Sequence, residues 1–297
     1  MKFITKKSII LPIRDKDARK GDNGKVLAVA GSEKYPGAAA LSALAAFRAG
    51  VDWVTVACPE KVAWAINAYA PDLVTIKLPG KIIAEHHVLP ILKSAQRHTL
   101  VILGNGVGLD TKTKKAIISL NKKIHLPKVI DADALKVIRL QDCRESILTP
   151  HLGEMGLLLS NSGINNNAIK KIMYEKDAEK RAQLIFSAIK KMEKRGKKDF
   201  FRQGNVILLK GHIATILSRK GVFFCRIGLN MTKAGTGDVL AGLAAGFYAQ
   251  SHDALQSAVN ASYFGKVISK ILHTKKKGFT FLASDMVEEI ERAKKHF

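Results

Sequence analysis

The sequence carries only three cysteines, Cys58, Cys143 and Cys225, far apart and odd in number. They offer neither a disulfide framework nor the spacing of a metal site, which fits a reducing compartment. No apolar run approaches the roughly 20 residues that a membrane-spanning helix needs. The apolar stretch near the N-terminus, Ile9–Pro12, is far too short for the core of a signal peptide, and charges follow it at once. A soluble cytoplasmic protein with no membrane contact is expected. No Pro/Gly/Ser-rich linker, low-complexity tract or internal repeat divides the chain, so one domain over residues 1–297 is expected. Acidic residues are also scarce, 25 Asp and Glu against 49 Lys and Arg, leaving a formal charge of +24. Such a field attracts polyanions, nucleotides and phosphorylated substrates. The excess is nevertheless spread along the chain. Between Lys170 and Lys198, eleven basic and four acidic residues alternate with Ile172, Leu184, Ile185, Ile189 and Met192 at helical spacing. That pattern predicts one or two amphipathic helices with solvated basic faces. No RNA-recognition, zinc-finger or helix-turn-helix pattern accompanies it, so no specific nucleic-acid partner is expected.

What is present is a large apolar content, 47% of residues, arranged in short blocks. Lys25–Ala30 is a brief apolar run stopped by glycine, as a buried parallel strand would be. Gly37–Gly50 is built from helix formers and also ends in glycine. Val51–Pro59 is rich in β-branched residues and stops at proline. Thr99–Gly108 reads as a strand entering a glycine-rich turn, Lys128–Leu135 as another strand, and Ser146–Leu159 as a strand, a proline turn and a helix start. Asn205–Leu217 and Gly221–Gly228 read as strands joined by the turn at Ser218–Gly221. Helices are expected from Asp238 to Gln250, from Asp253 to Leu272, and again near Ser284, with Ser284 as N-cap and Glu288 and Glu289 near the first turn. This alternation predicts a three-layer α/β/α sandwich around a mostly parallel central sheet.

Ligands of such sheets bind beyond the carboxyl ends of the strands, so the residues there are the site candidates. Gly31–Ala39 is neither a Gly-x4-Gly-Lys-Ser/Thr phosphate loop nor a Gly-x-Gly-x-x-Gly fingerprint. It does leave a small-residue helix start at Gly37-Ala38 that a flat ligand could approach. Gly104, Gly106 and Gly108 expose main chain to a ring or phosphate, or simply make a tight turn. Asp131 and Asp133, two apart on a segment read as extended, share a face. They could meet Mg²⁺ or a sugar hydroxyl, and Asp133 is favoured as a helix cap. Among nine histidines, His151 is the site candidate, whereas His86, His87, His98 and His296 sit in polar, surface-like contexts. Glu154 is either a helix-start carboxylate or a metal ligand. Lys210, at a strand end, could reach a nucleotide. The strongest signal is Gly235-Thr236-Gly237-Asp238, directly before a small, apolar helix. Free amides at a helix start make an anion site, and the glycines let a phosphate reach the backbone. A carboxylate beside that site suits a base that takes a proton from an attacking hydroxyl.

Six stretches in order then resemble one family: KGDNGKVLAVAGSEKYPGAA, GNGVG, DADAL, LTPHLGE, LLKG and NMTKAGTGDVLAG. Together they are similar to the ADP/ATP-dependent NAD(P)H-hydrate dehydratases of the ribokinase-like superfamily, over nearly the whole chain. The resemblance implies a repair enzyme, a hydro-lyase. It would phosphorylate the ring hydroxyl of (6S)-NAD(P)H hydrate from ADP or ATP, and then eliminate phosphate to restore NAD(P)H. It implies Asp238 as base and Gly235, Thr236 and Gly237 as the phosphoryl cradle. Lys210, Gly211, His212, Ile213, Ala214 and Gly237 would contact the nucleotide; Ala38, Gly106, Gly108, His151 and Asp238 would contact the hydrate. Mg²⁺ would bridge phosphates, mostly through water, with Glu154 the candidate protein ligand, and the assembly would be a homotetramer. Two departures stand out. Asn105 replaces the usual proline of the glycine turn, a change expected to alter loop stiffness only. Ala214 replaces a threonine four residues after the lysine, with Thr215 one later. An additional N-terminal epimerase domain, common among relatives, is not expected in 297 residues. The rival readings are a small-molecule kinase of the same superfamily, acting on a hydroxymethyl-pyrimidine, thiazole or sugar, and a nucleic-acid-binding protein exploiting the charge.

Overall fold

A computed structural model describes residues 2–194, 199–229, 231–275, 278 and 280–297. The end of the basic stretch at 195–198 and Asn230 of the last motif lie outside the described residues. The strands are β1 (Lys2–Phe3), β2 (Lys25–Val29), β3 (Trp53–Pro59), β4 (Val74–Leu78), β5 (Leu100–Leu103), β6 (Lys128–Ile130), β7 (Ser146–Leu148), β8 (Val206–Leu209), β9 (Ala214–Ser218) and β10 (Gly221–Cys225). The helices are α1 (Pro36–Arg48), α2 (Glu60–Tyr69), α3 (Val88–Ala95), α4 (Thr111–Lys123), α5 (Leu152–Asn161), α6 (Asn166–Tyr174), α7 (Ala178–Lys194), α8 (Thr236–Ser251), α9 (Ala254–Lys275), α10 (Ala283–Glu288) and α11 (Ile290–Lys294). All ten strands join one sheet in the order β1-β10-β9-β8-β7-β6-β5-β2-β3-β4. Only β9 runs against its neighbours.

Both faces of the sheet are covered, which is why the strands read as unbroken apolar runs rather than as alternating ones. Along β2, Val26 and Ala28 join a core with α1, α2, α8 and α9, whereas Leu27 and Val29 join a core with α3, α4, α5 and α7. The three-layer α/β/α sandwich expected from the sequence is what the chain forms. No helix among the described residues is long and apolar enough to cross a membrane.

The helix that carries the glycine–aspartate motif is seated unusually close to α1. A Cβ on Gly242 of α8 would lie 2.2 Å from the carbonyl oxygen of Ser42, so only hydrogen fits there. Ala45 and Ala46 of α1 and Ala49 just after it complete the small-residue contact, the Ala45 and Ala49 methyls lying 2.7 and 2.5 Å from where a Cβ on Gly242 or Gly246, respectively, would be. Close packing of this kind leaves α8 no room to slide, and it fixes the helix start against the sheet.

The chain departs from the sequence expectations at several places. Lys128–Leu135 is a strand only to Ile130; Ala132 takes φ +52°, and Ala132–Lys136 is a 3-10 turn. Asp131 and Asp133 therefore diverge instead of sharing a face. Asp133 is not a helix cap, since it accepts the Gly108 N–H at 2.9 Å and pairs with Lys136 at 2.7 Å. Asn205–Leu217 is two strands, β8 and β9, folded back at Lys210–Ile213. Ser284 is inside α10, whose N-cap position is Leu282 with its N–H on the Asp285 carboxylate; Glu289 follows the helix. His87 is buried rather than superficial, its Nδ1 accepting the Ala84 N–H at 3.1 Å.

Candidate active site

The sheet's topological switch lies between β2 and β5, where consecutive crossovers depart in opposite directions. The two loops leaving those strands are tied together there. Gly31 N–H donates to the Asn105 carbonyl at 2.7 Å, and Ser32 Oγ donates to the Gly106 carbonyl at 2.8 Å. Ala38, half-buried in the first turn of α1, lies against Gly106, so close that a Cβ there would be 2.7 Å from the Ala38 methyl. Gly108, half-buried at the end of the turn, is held by Asp133. These residues form one wall of the site.

On the opposite side, β8 ends at Lys210, whose N–H bonds the Pro150 carbonyl at 2.8 Å. This bond links the β8 exit to the His151 turn after β7. His151 and Glu154 make a reciprocal capping box at the start of α5: His151 N–H donates to Glu154 Oε2 at 2.9 Å and Glu154 N–H to His151 Nδ1 at 3.2 Å. The His151 side chain remains 59% exposed, while the Glu154 side chain is 6% exposed. Glu154 Oε2 also lies 3.5 Å from Lys210 Nζ.

Between these walls stands α8. Gly235, its N-cap, takes φ +88°, and a side chain there would collide with Ala283 and Leu41 at 2.7 Å. The left-handed turn at that point is what starts the helix over the carboxyl ends of the strands. Thr236 Oγ1 donates back to the Lys233 and Met231 carbonyls at 2.8 and 3.1 Å and locks the turn. The first amides of α8 have no acceptor inside the helix and point their dipole outward. Gly237 leaves room for the Lys210 ammonium, which would be 3.3 Å from a Cβ at that position.

A polar chain joins the two walls, buried at Asp131 and Asn105 and half-buried at Lys210 and Asp238. Lys210 Nζ donates to Asp131 Oδ1 at 2.7 Å. Asn105 Nδ2 donates to Asp131 Oδ2 at 3.0 Å and to Asp238 Oδ1 at 2.7 Å. Burial raises the pKa of Asp238 to about 7; Asn105 and Lys210 pull it down, while Asp131 and Asp133 push it up. Burial works against the Lys210 charge, but Asp131, Glu154 and Asp238 overcome it and hold the ammonium above its ordinary value. Asp238 is thus a carboxylate that exchanges a proton near neutrality, beside a firmly charged lysine, at a helix start.

A small cavity of about 100 Å³ opens beside this chain, lined by Lys210, Gly211, Ala214, Thr236, Gly237 and Lys266 among others. Gly211 and His212 are exposed at the β8–β9 turn, Ile213 is half-buried, and Ala214 is buried on the cavity wall. Thr215 is buried, with its hydroxyl on the Ile213 carbonyl at 3.4 Å. Lys266 was not singled out from sequence. Only 7% exposed on α9, it donates to the carbonyls of Gly211, His212 and Leu229 at 3.3, 2.8 and 3.5 Å, and burial lowers its pKa. A lysine inside the small and apolar stretch Ala261–Ile268 was the available signal. Asn105, expected to affect loop stiffness only, is instead the fully buried junction between the two aspartates. Among the described residues no group of three or more His, Cys, Asp or Glu is arranged to hold a metal ion. The Asp131 and Glu154 carboxylates are turned toward an ammonium, so the donor set does not form a metal cage.

A glycine-started helix thus stands over the carboxyl ends of a largely parallel sheet, with an aspartate in its first turn. A ribokinase-like superfamily protein of Enterococcus faecalis has this fold at a TM-score of 0.79 with 20% identity, over 99% of this chain and 96% of its own. Residues 26–292 match the family model described as NAD(P)H-hydrate dehydratase, and the chain belongs to that family. It is 30% identical to the ADP-dependent (S)-NAD(P)H-hydrate dehydratase of Nitrosopumilus maritimus, over 97% of this chain and 94% of that one. It is 34% identical over 94% of its length to the bifunctional NAD(P)H-hydrate repair enzyme of Pyrobaculum aerophilum, of which it spans about half, 52%.

Proposed function

We propose that this protein dehydrates hydrated NAD(P)H at the expense of ADP or ATP. The observation that carries this reading is Asp238: a proton-exchanging carboxylate in the first turn of α8, joined through Asn105 and Asp131 to Lys210. In the ionised form Asp238 takes the proton of the substrate's ring hydroxyl as that oxygen attacks the terminal phosphoryl group. The α8 amides from Gly235 to Gly237 and the Lys210 ammonium stabilise the charge that develops on the phosphoryl oxygens. The phosphate then leaves with the ring C–O bond, and loss of a ring proton restores the double bond of NAD(P)H. Phosphorylation turns a poor leaving group, hydroxide, into a good one.

Ala38, Gly106, Gly108 and His151 form the seat for the hydrated ring. The cavity from Lys210 to Ala214 takes part of the nucleotide, and its phosphates lie toward Gly237. Mg²⁺ would enter with the nucleotide and offset the charge of its phosphates, and the Asp131 and Glu154 carboxylates, turned toward Lys210, would not be needed to hold it. The chain is further read as a homotetramer, for which light scattering should give four times the 32.4 kDa of one chain. Purified protein given chemically hydrated NADH, Mg²⁺ and ADP or ATP should produce NADH and free phosphate together. Accumulation of a phosphorylated product without NADH would instead mark a small-molecule kinase.

A further inference from the structure

Asn105 is a poor choice for a buried turn unless its amide group has a task. The residue is fully buried, and its Oδ1 has no hydrogen-bond partner among the described residues. An unpaired buried carbonyl is costly, and an apolar side chain of the same shape would avoid the cost. What the residue gains lies at its other end. The two hydrogens of one NH₂ group go to two different carboxylates, Asp131 at 3.0 Å and Asp238 at 2.7 Å. The amide orientation follows from electrostatics, since the flipped form would set an oxygen against both acids. The main chain is pinned as well, because the Asn105 carbonyl accepts the Gly31 N–H at 2.7 Å.

Two carboxylates brought to one site share a proton and titrate as a pair. Here one of them is committed: Asp131 is salt-bridged to Lys210 at 2.7 Å. An amide placed between them donates to both and accepts a proton from neither.

We propose that Asn105 is a positioning residue for proton transfer: its NH₂ group, donating to both acids, holds Asp238 ready in its ionised form and keeps Asp131 and Asp238 from sharing a proton. The inference rests on the reading of Asp238 as the base. It assigns to Asn105 the task of keeping a proton taken from substrate on Asp238 alone, while Asp131 stays paired with Lys210. Hydrogen bonding to the charged form also favours ionisation, in the direction already noted for Asp238.

The test compares wild type with Asn105→Leu, which keeps the volume, and Asn105→Ser, which removes the amide with little steric demand. The pH profile of kcat/KM is read beside the ¹³C titration of the Asp238 carboxyl in nucleotide-free protein. Either substitution should move the acidic limb of the profile and the NMR titration upward by on the order of one pH unit. The rate at pH 6.5 should then fall about tenfold, most of it recovered by pH 9, with little change in the nucleotide KM. A loss of rate equal at every pH, or an Asp238 titration that does not move in a folded variant, would overturn the proposal. The NMR readout does not need turnover. If wild type forms no NADH while the titration still moves, the dehydratase reading fails and the role of Asn105 stands.

Discussion

Asp238 combines two demands that oppose each other. Burial makes it a proton acceptor matched to neutral pH, and burial also makes its charge expensive. Asp238→Asn should lower kcat/KM by about 10²–10⁴-fold, the usual contribution of a positioned base, with the nucleotide still bound. The pH dependence has a definite sign. With the carboxylate as the proposed active form and burial raising its pKa to about 7, activity should climb through pH 7 and fall about tenfold per unit below pH 6. Stability moves the other way. The folded state binds this proton more tightly than the unfolded chain does, so stability from this group is lost as pH rises from near 4 through about 7. Asp238→Asn should therefore gain on wild type as pH rises, its advantage being larger at pH 8 than at pH 5 by on the order of 2–3 kcal/mol. Thermal melts at the two pH values check this, and equal gains at both would contradict it. Lys210→Met should act on both fronts. It would remove the proposed phosphoryl contact and strand the buried Asp131 and Glu154 carboxylates, lowering stability by about 3–5 kcal/mol as well as activity. Denaturant melts of the variant would show whether the loss is that large.

At the scale of elements, the site depends on how α8 is seated. Gly242→Ala would bring a methyl to 2.2 Å from the Ser42 carbonyl, and the helices would have to part. The expected cost is about 1–3 kcal/mol, with a loss of activity from a displaced helix start, read by melting and turnover of the same sample. The strands β2, β3, β5, β6, β7 and β8 were legible because each is a short apolar run closed soon after by glycine, proline or a charge, whereas β1 and β4 were not read. The helix starts at Gly37 and Gly235 were legible for the same kind of local reason. Where the reading failed, the cause was not local. Nothing in DADAL announces that Ala132 adopts φ +52°, and that single turn sends Asp131 to Lys210 and Asp133 to Gly108. The hydrogen bond from Asn105 to Asp238 spans 133 residues of sequence, so no window of sequence contains it. Lys266 was hidden in the same way, since its three carbonyl partners come from two separate turns.

For the whole molecule, the charge of +24 is unbalanced repulsion spread over the surface. Raising salt from about 0.02 to about 0.3 M shortens the Debye length several-fold. The melting temperature should rise over that range, and a fall or no change would contradict the idea that self-repulsion burdens the fold. Any binding to bulk DNA should weaken steeply over the same range, as counterion release requires, and be the same for Asp238→Asn. The central claim concerns chemistry rather than charge, and absorbance at 340 nm tests it most directly. Protein is mixed with chemically hydrated NADH and Mg²⁺, with ADP, with ATP or with neither, in parallel with Asp238→Asn. The account predicts a rise that needs a nucleotide and is lost in the variant. No rise with either nucleotide from folded wild type, or an equal rise from Asp238→Asn, would contradict it.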